Sequence, residues 1–285
     1  MQNPPKTLFI GLITFDIIYQ VKQVPTSNEK IVSHHQLLTC GGPATNAAIT
    51  FSHLSGVSSL MASLGQHDLS SLICNELSKY QVDFLNLSNQ TLSPTISSIM
   101  VTESTGERAV VSVNAKHKQC KQLPVGFSMD KHQALFVDGH QIQISIDAAQ
   151  IARQKQYPVI FDGGSWKTNT EQLLPHVTHA ICSENFHPPN CNNIKQTLNY
   201  LKQFNISSIA ITRGEKSIII VENEIHDEIT PPQLKVIDTL GAGDIFHGAF
   251  CYYYLTTHNF KQALQQASII ATKSCQFFGT RQWME

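Results

Sequence analysis

The stretch Asp238-Thr239-Leu240-Gly241-Ala242-Gly243-Asp244 lies between a short strand-like run, 235–237, and a segment with apolar residues at helical spacing, 243–256. The run predicts a strand and the segment predicts a helix. Glycines at such a junction allow successive backbone N–H groups to point outward at the N-terminus of the helix, where an anion binds. An acid directly after these donors would repel the anion, so we expect Asp244 to act as a general base.

A bare Gly-Ala-Gly-Asp sequence also has a purely structural interpretation, in which the glycines make a tight turn and Asp244 caps the helix. The flanking residues, Asp238-Thr239 before it and 246–249 after it, favour a chemical role. Phosphoryl transfer from a nucleotide needs donors that hold the migrating γ-phosphoryl group and a carboxylate that accepts the proton of the attacking hydroxyl. Residues 241–244 would supply both parts.

Short apolar runs alternate with helical segments in the rest of the chain. Strands are predicted at 8–11, 134–137, 159–162, 180–182, 209–212 and 218–221, and helices at 46–54, 69–80, 143–155, 193–204 and 260–275. This alternation predicts parallel strands with helical crossovers in an α/β fold, a Rossmann-like core of three layers, αβα. Ligands bind such sheets beyond the carboxyl ends of the strands, where the glycine-rich stretches fall.

Two β-rich runs outside this alternation, 95–101 and 108–113, flank the turn sequence Thr105-Gly106-Glu107. They are the clearest hairpin of the chain and predict a small appended sheet.

The first apolar run, 8–11, is separated from a second one, 17–21, by a break at Asp16. We expect this carboxylate to be exposed at a strand end. The alternating stretch 30–38 leads into Gly41-Gly42-Pro43, where a proline suited to the first turn of a helix predicts a strand-to-helix junction.

The composition excludes several classes of protein. The 285 residues carry Lys+Arg 20 against Asp+Glu 21, a net charge of -1, which is unlike a protein that binds nucleic acid or a membrane surface. Seven scattered cysteines without a Cys-x-x-Cys spacing argue against a disulfide framework or a zinc site. No apolar window approaches the about 18 residues of a membrane-spanning helix, and we expect a cytoplasmic protein without a signal peptide.

The motif Asp238-Thr239-Leu240-Gly241-Ala242-Gly243-Asp244-Ile245-Phe246-His247-Gly248 resembles the C-terminal motif of the ribokinase-like (PfkB) carbohydrate kinases. Gly41 to Ala48 resembles the N-terminal motif of that family, and Gly11 with Asp16 resembles its first-strand motif. The resemblance implies one ribokinase-like domain over 1–285, with the strands of a small β-sheet lid within about 12–40 and 94–114. The order of motifs looks closest to the ketohexokinase and sulfofructose-kinase branch.

The resemblance implies roles for individual residues in catalysis and in binding the sugar. Asp244 would be the catalytic base, and the backbone of Gly241, Ala242 and Gly243 would stabilise the charge of the transferring phosphoryl group. Asp16, Gly42 and Asn46 would hold the hydroxyls of the sugar. The alternatives are a turn former for Asp16 and a solvated helix residue for Asn46.

Three further residues are candidates for contact with the sugar. Asp138-Gly139-His140 occupies the place where some relatives present an acid and others a base, which makes His140 a candidate selectivity residue. On the lid hairpin, Arg108 and Asn114 would reach the substrate if their strand points inward; otherwise they are ordinary lid residues.

On the nucleotide side, Thr212 and Gly214 match the strand-end Thr-x-Gly of the family, although Ser217 stands where a second glycine is usual. The Asn-x-x-Glu motif, which organises magnesium through water, is altered, since Glu184 takes the Asn place and His187 the Glu place. Either Glu184 substitutes with a different geometry or the nucleotide itself positions the metal, so no metal ligand is assigned.

The implied activity is ATP-dependent and Mg²⁺-dependent phosphotransfer to a hydroxyl of a small sugar, a pentose or a ketohexose, by a homodimer. A monovalent cation near Asp238 is left open. The alternatives are a nucleoside kinase, which would need an aromatic platform such as Phe15, and a catalytically silent sugar- or nucleotide-binding regulator. A Rossmann dehydrogenase is disfavoured because no Gly-x-Gly-x-x-Gly follows the first strand. We expect His247 to pack near the site rather than to act in it.

Overall fold

A computed structural model describes residues 3–113, 115 and 119–285 of the chain. The helices are α1 (Pro43–His53), α2 (Asp68–Lys79), α3 (Ile142–Gln154), α4 (Thr170–Leu173), α5 (Ile194–Lys202), α6 (Ala242–Thr257) and α7 (Phe260–Ser274). The strands are β1 (Lys6–Gly11), β2 (Thr14–Val21), β3 (His35–Gly41), β4 (Val57–Ala62), β5 (Asp83–Asn86), β6 (Ile96–Thr102), β7 (Arg108–Ser112), β8 (Ala134–Val137), β9 (Val159–Gly163), β10 (His179–Ser183), β11 (Ser208–Arg213), β12 (Lys216–Glu222) and β13 (Ile225–Ile229).

The large sheet has the strand order β13-β12-β11-β10-β9-β8-β1-β4-β5. Its strands pair in parallel from β11 to β5, and β12 and β13 add an antiparallel edge. The central strands are apolar runs buried on both faces, as β8 illustrates with four buried residues. The predicted parallel sheet with helical crossovers is confirmed for β8 to β11, whereas β12, predicted at 218–221 in the same alternation, runs antiparallel because it follows β11 through a short turn without a helix.

Helices cover both faces of this sheet. One apolar cluster joins α1, α6 and α7 to the sheet through side chains such as Phe51, Phe250 and Leu264. The other cluster joins α3 and α5 to the opposite face through side chains such as Ala148 and Leu201. The three-layer αβα arrangement is therefore as predicted, and the carboxyl ends of the parallel strands lie at one edge of it.

A separate small sheet has the order β3-β2-β6-β7. The strands β6 and β7 form the predicted hairpin, and β2 pairs in parallel with β6. All its strands fall within the ranges predicted for a lid, or extend one residue beyond them in β3. That this sheet acts as a lid stays a prediction.

Two sequence expectations about local structure were wrong. Asp16 does not break a strand but lies within β2, 7% exposed, because polar neighbours accommodate its carboxyl group. Residues 235–237 do not form a strand, because the N–H groups of Ile237 and Asp238 both donate to the carbonyl oxygen of Cys275 at the end of α7. The strands β4, β5 and β13 are not predicted from the sequence, since polar or charged residues interrupt their apolar pattern.

In the described part of the chain, no helix combines the length and the apolar character that crossing a membrane requires.

Candidate active site

The N-terminus of α6 holds the motif that the sequence analysis places at the centre of the site. Gly241 precedes the helix with a left-handed backbone (φ 69°), and a Cβ there would lie 2.6 Å from Cγ2 of Thr280. A Cβ on Gly243 would face open space. The first N–H groups of a helix have no partner within it, although Ala242 donates to the carbonyl oxygen of Thr239 at 3.3 Å.

Asp244 lies in the first turn of α6 and is joined to Asn46 of α1. The Asn46 Nδ2 donates to Asp244 Oδ2 at 2.7 Å, so two predicted site residues from distant parts of the chain are in contact. Burial, and then the nearby carboxylate of Asp162, raises the pKa of Asp244 to about 6, although Asn46, His247 and Arg108 act in the opposite direction. A carboxyl group with such a pKa is suited to accept a proton near neutral pH.

The glycine pair at the end of β3 lies against the carboxyl group of Asp16 and the backbone of Leu12. A Cβ on Gly41 would collide with that carboxyl group, and a Cβ on Gly42, whose φ is 99°, would collide with the carbonyl oxygen of Leu12. The Thr14 hydroxyl donates to Asp16 Oδ1 at 2.6 Å. Burial raises the pKa of Asp16, so this side chain is a desolvated acceptor beside the amino end of α1.

Asp138 follows β8, and its carboxylate accepts hydrogen bonds from three backbone N–H groups. Its Oδ2 accepts from the N–H of Leu12 (2.8 Å) and of Ala44 (3.1 Å), and its Oδ1 accepts from the N–H of His140 (2.9 Å). A Cβ on Gly11 would collide with this carboxylate. Burial alone would raise the pKa of Asp138, but His140 and the other positive and N–H groups lower it to about 2.

His140 is the residue of this stretch that a sugar could meet. Its Nδ1 lies 3.2 Å from Asp138 Oδ1, and 11% of its side chain is exposed. The ring is therefore held by an ionised carboxylate at the edge where the strands end.

The predicted nucleotide residues lie at the carboxyl ends of β10 and β11. The Glu184 N–H donates to the carbonyl oxygen of Thr212 at 2.8 Å, and the Thr212 hydroxyl donates to that of Cys182 at 3.4 Å. Gly214 has a φ of 62°, and a Cβ there would face open space. His187, which takes the Glu place of Asn-x-x-Glu, is exposed. The structure thus brings Thr212 and Glu184 together.

The β6–β7 hairpin contacts the loop that leads into α6. Arg108 Nη1 donates to the hydroxyl of Thr239 at 3.1 Å, and that hydroxyl donates to the carbonyl oxygen of Gly106 at 3.0 Å. Asn114 lies outside the described residues. The contact makes Arg108 the hairpin residue that faces the catalytic loop.

Asp238 also holds backbone groups. Its Oδ1 accepts from the N–H of Leu240 and its Oδ2 from that of Gly279, both at 2.8 Å. Burial raises the pKa of Asp238. A monovalent cation at this place stays a prediction.

Three functional candidates were missed by the sequence analysis. Asp162 lies near the carboxyl end of β9, 6% exposed, and Arg281 and Glu76 form an ion pair of 3.0 Å next to Asn46. A carboxylate at the end of a predicted strand was a usable signal for Asp162. No local pattern indicates the pair, because its members are separated by 205 residues.

His247 is buried near the site, as expected.

No group of three or more His, Cys, Asp or Glu side chains able to hold a metal ion occurs among residues 3–113, 115 and 119–285. Mg²⁺ in kinases keeps several waters and takes one or two carboxylates besides the phosphates of the substrate. The carboxylates of Asp162 and Glu184 at this edge of the sheet fit that donor set.

Comparison with known proteins agrees with this geometry. The family model for the pfkB family carbohydrate kinases matches residues 5–285. The chain therefore belongs to this family, and the protein is a carbohydrate kinase.

Individual relatives match over most of their length. The chain is 20% identical to a ribokinase of Lactococcus lactis, over 97% of this chain and 92% of the relative, and 25% identical to a fructosamine kinase of Bacillus subtilis, over 84% of each. The structure of Arabidopsis thaliana ribokinase complexed with ribose and ATP matches with a TM-score of 0.78 at 20% identity, over 98% of this chain and 94% of that one. The ribokinase-like fold is thereby confirmed, and the closer resemblance to the ketohexokinase branch stays a prediction.

Proposed function

We propose that the protein transfers the γ-phosphoryl group of ATP to a hydroxyl of a pentose or a ketohexose. The observation that carries the proposal is the carboxylate of Asp244, which stands in the first turn of α6 and accepts a hydrogen bond from Asn46 at 2.7 Å. The positive end of a helix and a base are thereby combined within one turn.

In this reaction Asp244 accepts the proton of the sugar hydroxyl. The hydroxyl oxygen forms a bond to the γ-phosphorus, and the bond from that phosphorus to the β–γ bridging oxygen breaks, with ADP as the leaving group. The backbone of Gly241, Ala242 and Gly243 would stabilise the charge of the transferring group, although the Ala242 N–H also donates to the carbonyl oxygen of Thr239, and the open space beside Gly243 leaves room for the group. Mg²⁺, held by the phosphates with Asp162 and Glu184 nearby, would neutralise phosphate charge.

The sugar would lie between β2, α1 and the end of β8. Asp16 presents a desolvated carboxylate able to accept from two hydroxyls, and Asn46 presents an amide that donates and accepts. Gly42 would allow close approach of the backbone, and His140 would meet the sugar from the end of β8. The names of the relatives, ribokinase and fructosamine kinase, support a small sugar or sugar derivative.

The nucleotide would lie along the ends of β10 and β11. Thr212 and Glu184 meet there, and Gly214 has no side chain to block access. The ribokinase structure that contains ATP supports this nucleotide. Ser217, in place of a glycine, would change the contact locally.

The proposal includes the assembly and the compartment. The small sheet exposes Leu38 and Val111 on the same face, an apolar surface that a second copy of this chain would cover in a homodimer. All the cysteines are free thiols, which suits the cytoplasm. The near-neutral charge gives no reason to expect nucleic acid or membranes as partners.

A nucleoside kinase is not favoured by the geometry. Its aromatic candidate, Phe15, is buried in the apolar cluster and offers no stacking surface to a base.

The test is ADP production by the purified protein with ATP, Mg²⁺ and a panel of pentoses, ketohexoses and nucleosides. We expect turnover with at least one sugar and none with the nucleosides. Binding of a sugar and ATP without any ADP production would overturn the proposal in favour of a silent regulator.

A further inference from the structure

Arg281 follows α7 and reaches between the two glycine motifs. Its Nη1 donates to Asn46 Oδ1 (2.9 Å), its Nη2 to the carbonyl oxygen of Cys40 (2.8 Å) and its Nε to Glu76 Oε1 (3.0 Å). Cys40 precedes the glycine pair and Asn46 follows it. One guanidinium group therefore holds both sides of the N-terminal motif.

Glu76 of α2 completes this arrangement. Its Oε1 also accepts from the Thr39 hydroxyl and its Oε2 from the N–H of Cys40, both at 2.7 Å. The side chains of Arg281 and Glu76 are only 13% and 19% exposed. A paired and largely buried guanidinium with this many bonds is fixed in position, because leaving any partner unpaired would be costly.

The fixed guanidinium determines which way the Asn46 amide points. Arg281 has only donors and an ionised carboxylate has only acceptors. The amide can satisfy both neighbours in one orientation alone, with Oδ1 on Arg281 and Nδ2 on Asp244, as observed. The reversed amide would place oxygen against the carboxylate and N–H against the guanidinium.

We propose that Arg281 is a positioning residue for phosphotransfer, which locks the Asn46 amide so that its N–H stays on Asp244 and keeps that carboxylate oriented and ionised. This inference rests on the proposed function, because it needs Asp244 as the base. It adds a residue outside both glycine motifs to the requirements of the reaction.

Other groups also act on Asp244. Asp162 of β9 raises its pKa, whereas His247 of α6 and Arg108 of β7 lower it, as does the bond from Asn46; burial is the largest effect. Arg281 itself is faced by Glu76, Cys40 and Tyr80. Without Arg281 the Asn46 amide loses one of the two bonds that fix its position, its bond to the carboxylate weakens, and the pKa of Asp244 rises above its native value.

The experiment compares Arg281→Met and Arg281→Lys with Arg153→Met, a matched control at an exposed arginine of α3. The rate constant kcat/KM for the sugar is measured against pH on variants whose folding is checked by circular dichroism. We expect the acidic limb of the profile to move up by about one pH unit in Arg281→Met, which is the size of a charge-assisted hydrogen bond. Arg281→Lys should shift partially, and the control should not shift.

The same substitution in an Asn46→Ala background separates positioning from a direct electrostatic effect. We expect no additional shift there, because the amide through which Arg281 acts is absent. A full shift in that background, or an unmoved limb in a folded Arg281→Met protein, would overturn the inference. If Arg281→Met does not fold, Arg281→Lys carries the same test, since it keeps the charge and loses the fork that spans Asn46 and Cys40.

A measurement that does not require turnover distinguishes failure of this inference from failure of the proposed function. The carboxyl carbon of Asp244 is titrated by ¹³C NMR in the nucleotide-free wild type and in Arg281→Met. A higher titration midpoint in the variant supports the coupling even if no sugar is phosphorylated, and equal midpoints overturn it even if the wild type is an active kinase.

Discussion

The Nδ1 of His247 lies 2.7 Å from the carbonyl oxygen of Gly243, one helical turn earlier in α6. Its Nε2 lies 3.2 Å from the carbonyl oxygen of Ile181 in β10 and 3.7 Å from Asp162 Oδ1. Each of these carbonyl oxygens accepts a hydrogen bond from a ring nitrogen that carries a proton. His247 thus links the glycine turn that precedes Asp244 to strand β10.

His247→Gln should therefore weaken this link while keeping one donor. We expect a loss of about 1–3 kcal/mol in the free energy of unfolding, because a buried carbonyl oxygen loses its partner, and a larger fall in kcat than in the affinity for the sugar. Denaturant unfolding and steady-state kinetics measure the two effects. His258→Gln, at the exposed C-terminal end of the same helix, is the control. Equal behaviour of the two variants would contradict the role of His247.

Asp244→Asn should abolish turnover, with a fall of about 10²–10⁴-fold in kcat, since it removes the base. Nucleotide binding should persist, because the backbone donors of the α6 N-terminus are unchanged. Calorimetric titration with ADP checks the binding, and Asp83→Asn on the exposed strand β5 serves as the control. A near-normal rate in Asp244→Asn would refute the assigned role.

The raised pKa of Asp244 predicts how the rate depends on pH. Its folded value of about 6 lies above the usual 3.8, so the active ionised form is present above pH 6 and declines as the pH falls through that value. Below it, kcat/KM should drop about tenfold per pH unit. The pH profile of the wild type should therefore have an acidic limb near pH 6, and a flat profile down to pH 4 would contradict this assignment.

Asp162→Asn should shift that limb to lower pH. The carboxylate of Asp162 opposes ionisation of Asp244, so a neutral amide in its place lowers the pKa of the base. The shift is read from the limb and not from the absolute rate, which loss of a carboxylate near the phosphates would also reduce. Movement of the limb to higher pH would contradict the electrostatic account.

The two glycines before Asp244 should differ in their tolerance of a side chain. Gly241→Ala meets Thr280 and a left-handed backbone, and should lower the free energy of unfolding by about 1–3 kcal/mol. Gly243→Ala has open space and should keep wild-type stability while weakening ATP binding, because the methyl group occupies room intended for phosphate. Thermal unfolding and nucleotide titration of the two variants distinguish these outcomes; equal loss of stability would contradict them.

The strands and helices that could be predicted are those whose apolar sequence pattern matches the burial of their side chains. The fully buried strand β8 reads as an apolar run, and α6 has a clear start at its glycines. The exposed edge strand β13, with His226, Asp227 and Glu228, has no such pattern and was missed. Asp16 looked like an interruption because its neighbours in space, among them Gly41, come from another strand.

The residues of the candidate site also fall into two groups, those that the sequence predicts and those that it does not. Asp244 and Asn46 belong to motifs that are visible in the sequence, and their contact follows from the close packing of α6 on α1, where a Cβ on Gly248 would lie 2.3 Å from the carbonyl oxygen of Ala47. The Arg281–Glu76 pair depends on tertiary packing of α2 against the segment after α7, which no periodicity indicates. The polar groups that hold a motif residue in position are thus harder to predict than the residue itself.

The segment after α7 determines when the site can form during folding. Gly279 binds Asp238, Thr280 packs against Gly241, and Arg281 holds Asn46, so both glycine motifs depend on the segment 279–281. During synthesis the central strands of the large sheet emerge long before this segment, and contacts of such sequence separation form late. A nascent chain therefore cannot complete this site until residues 279–281 have left the ribosome.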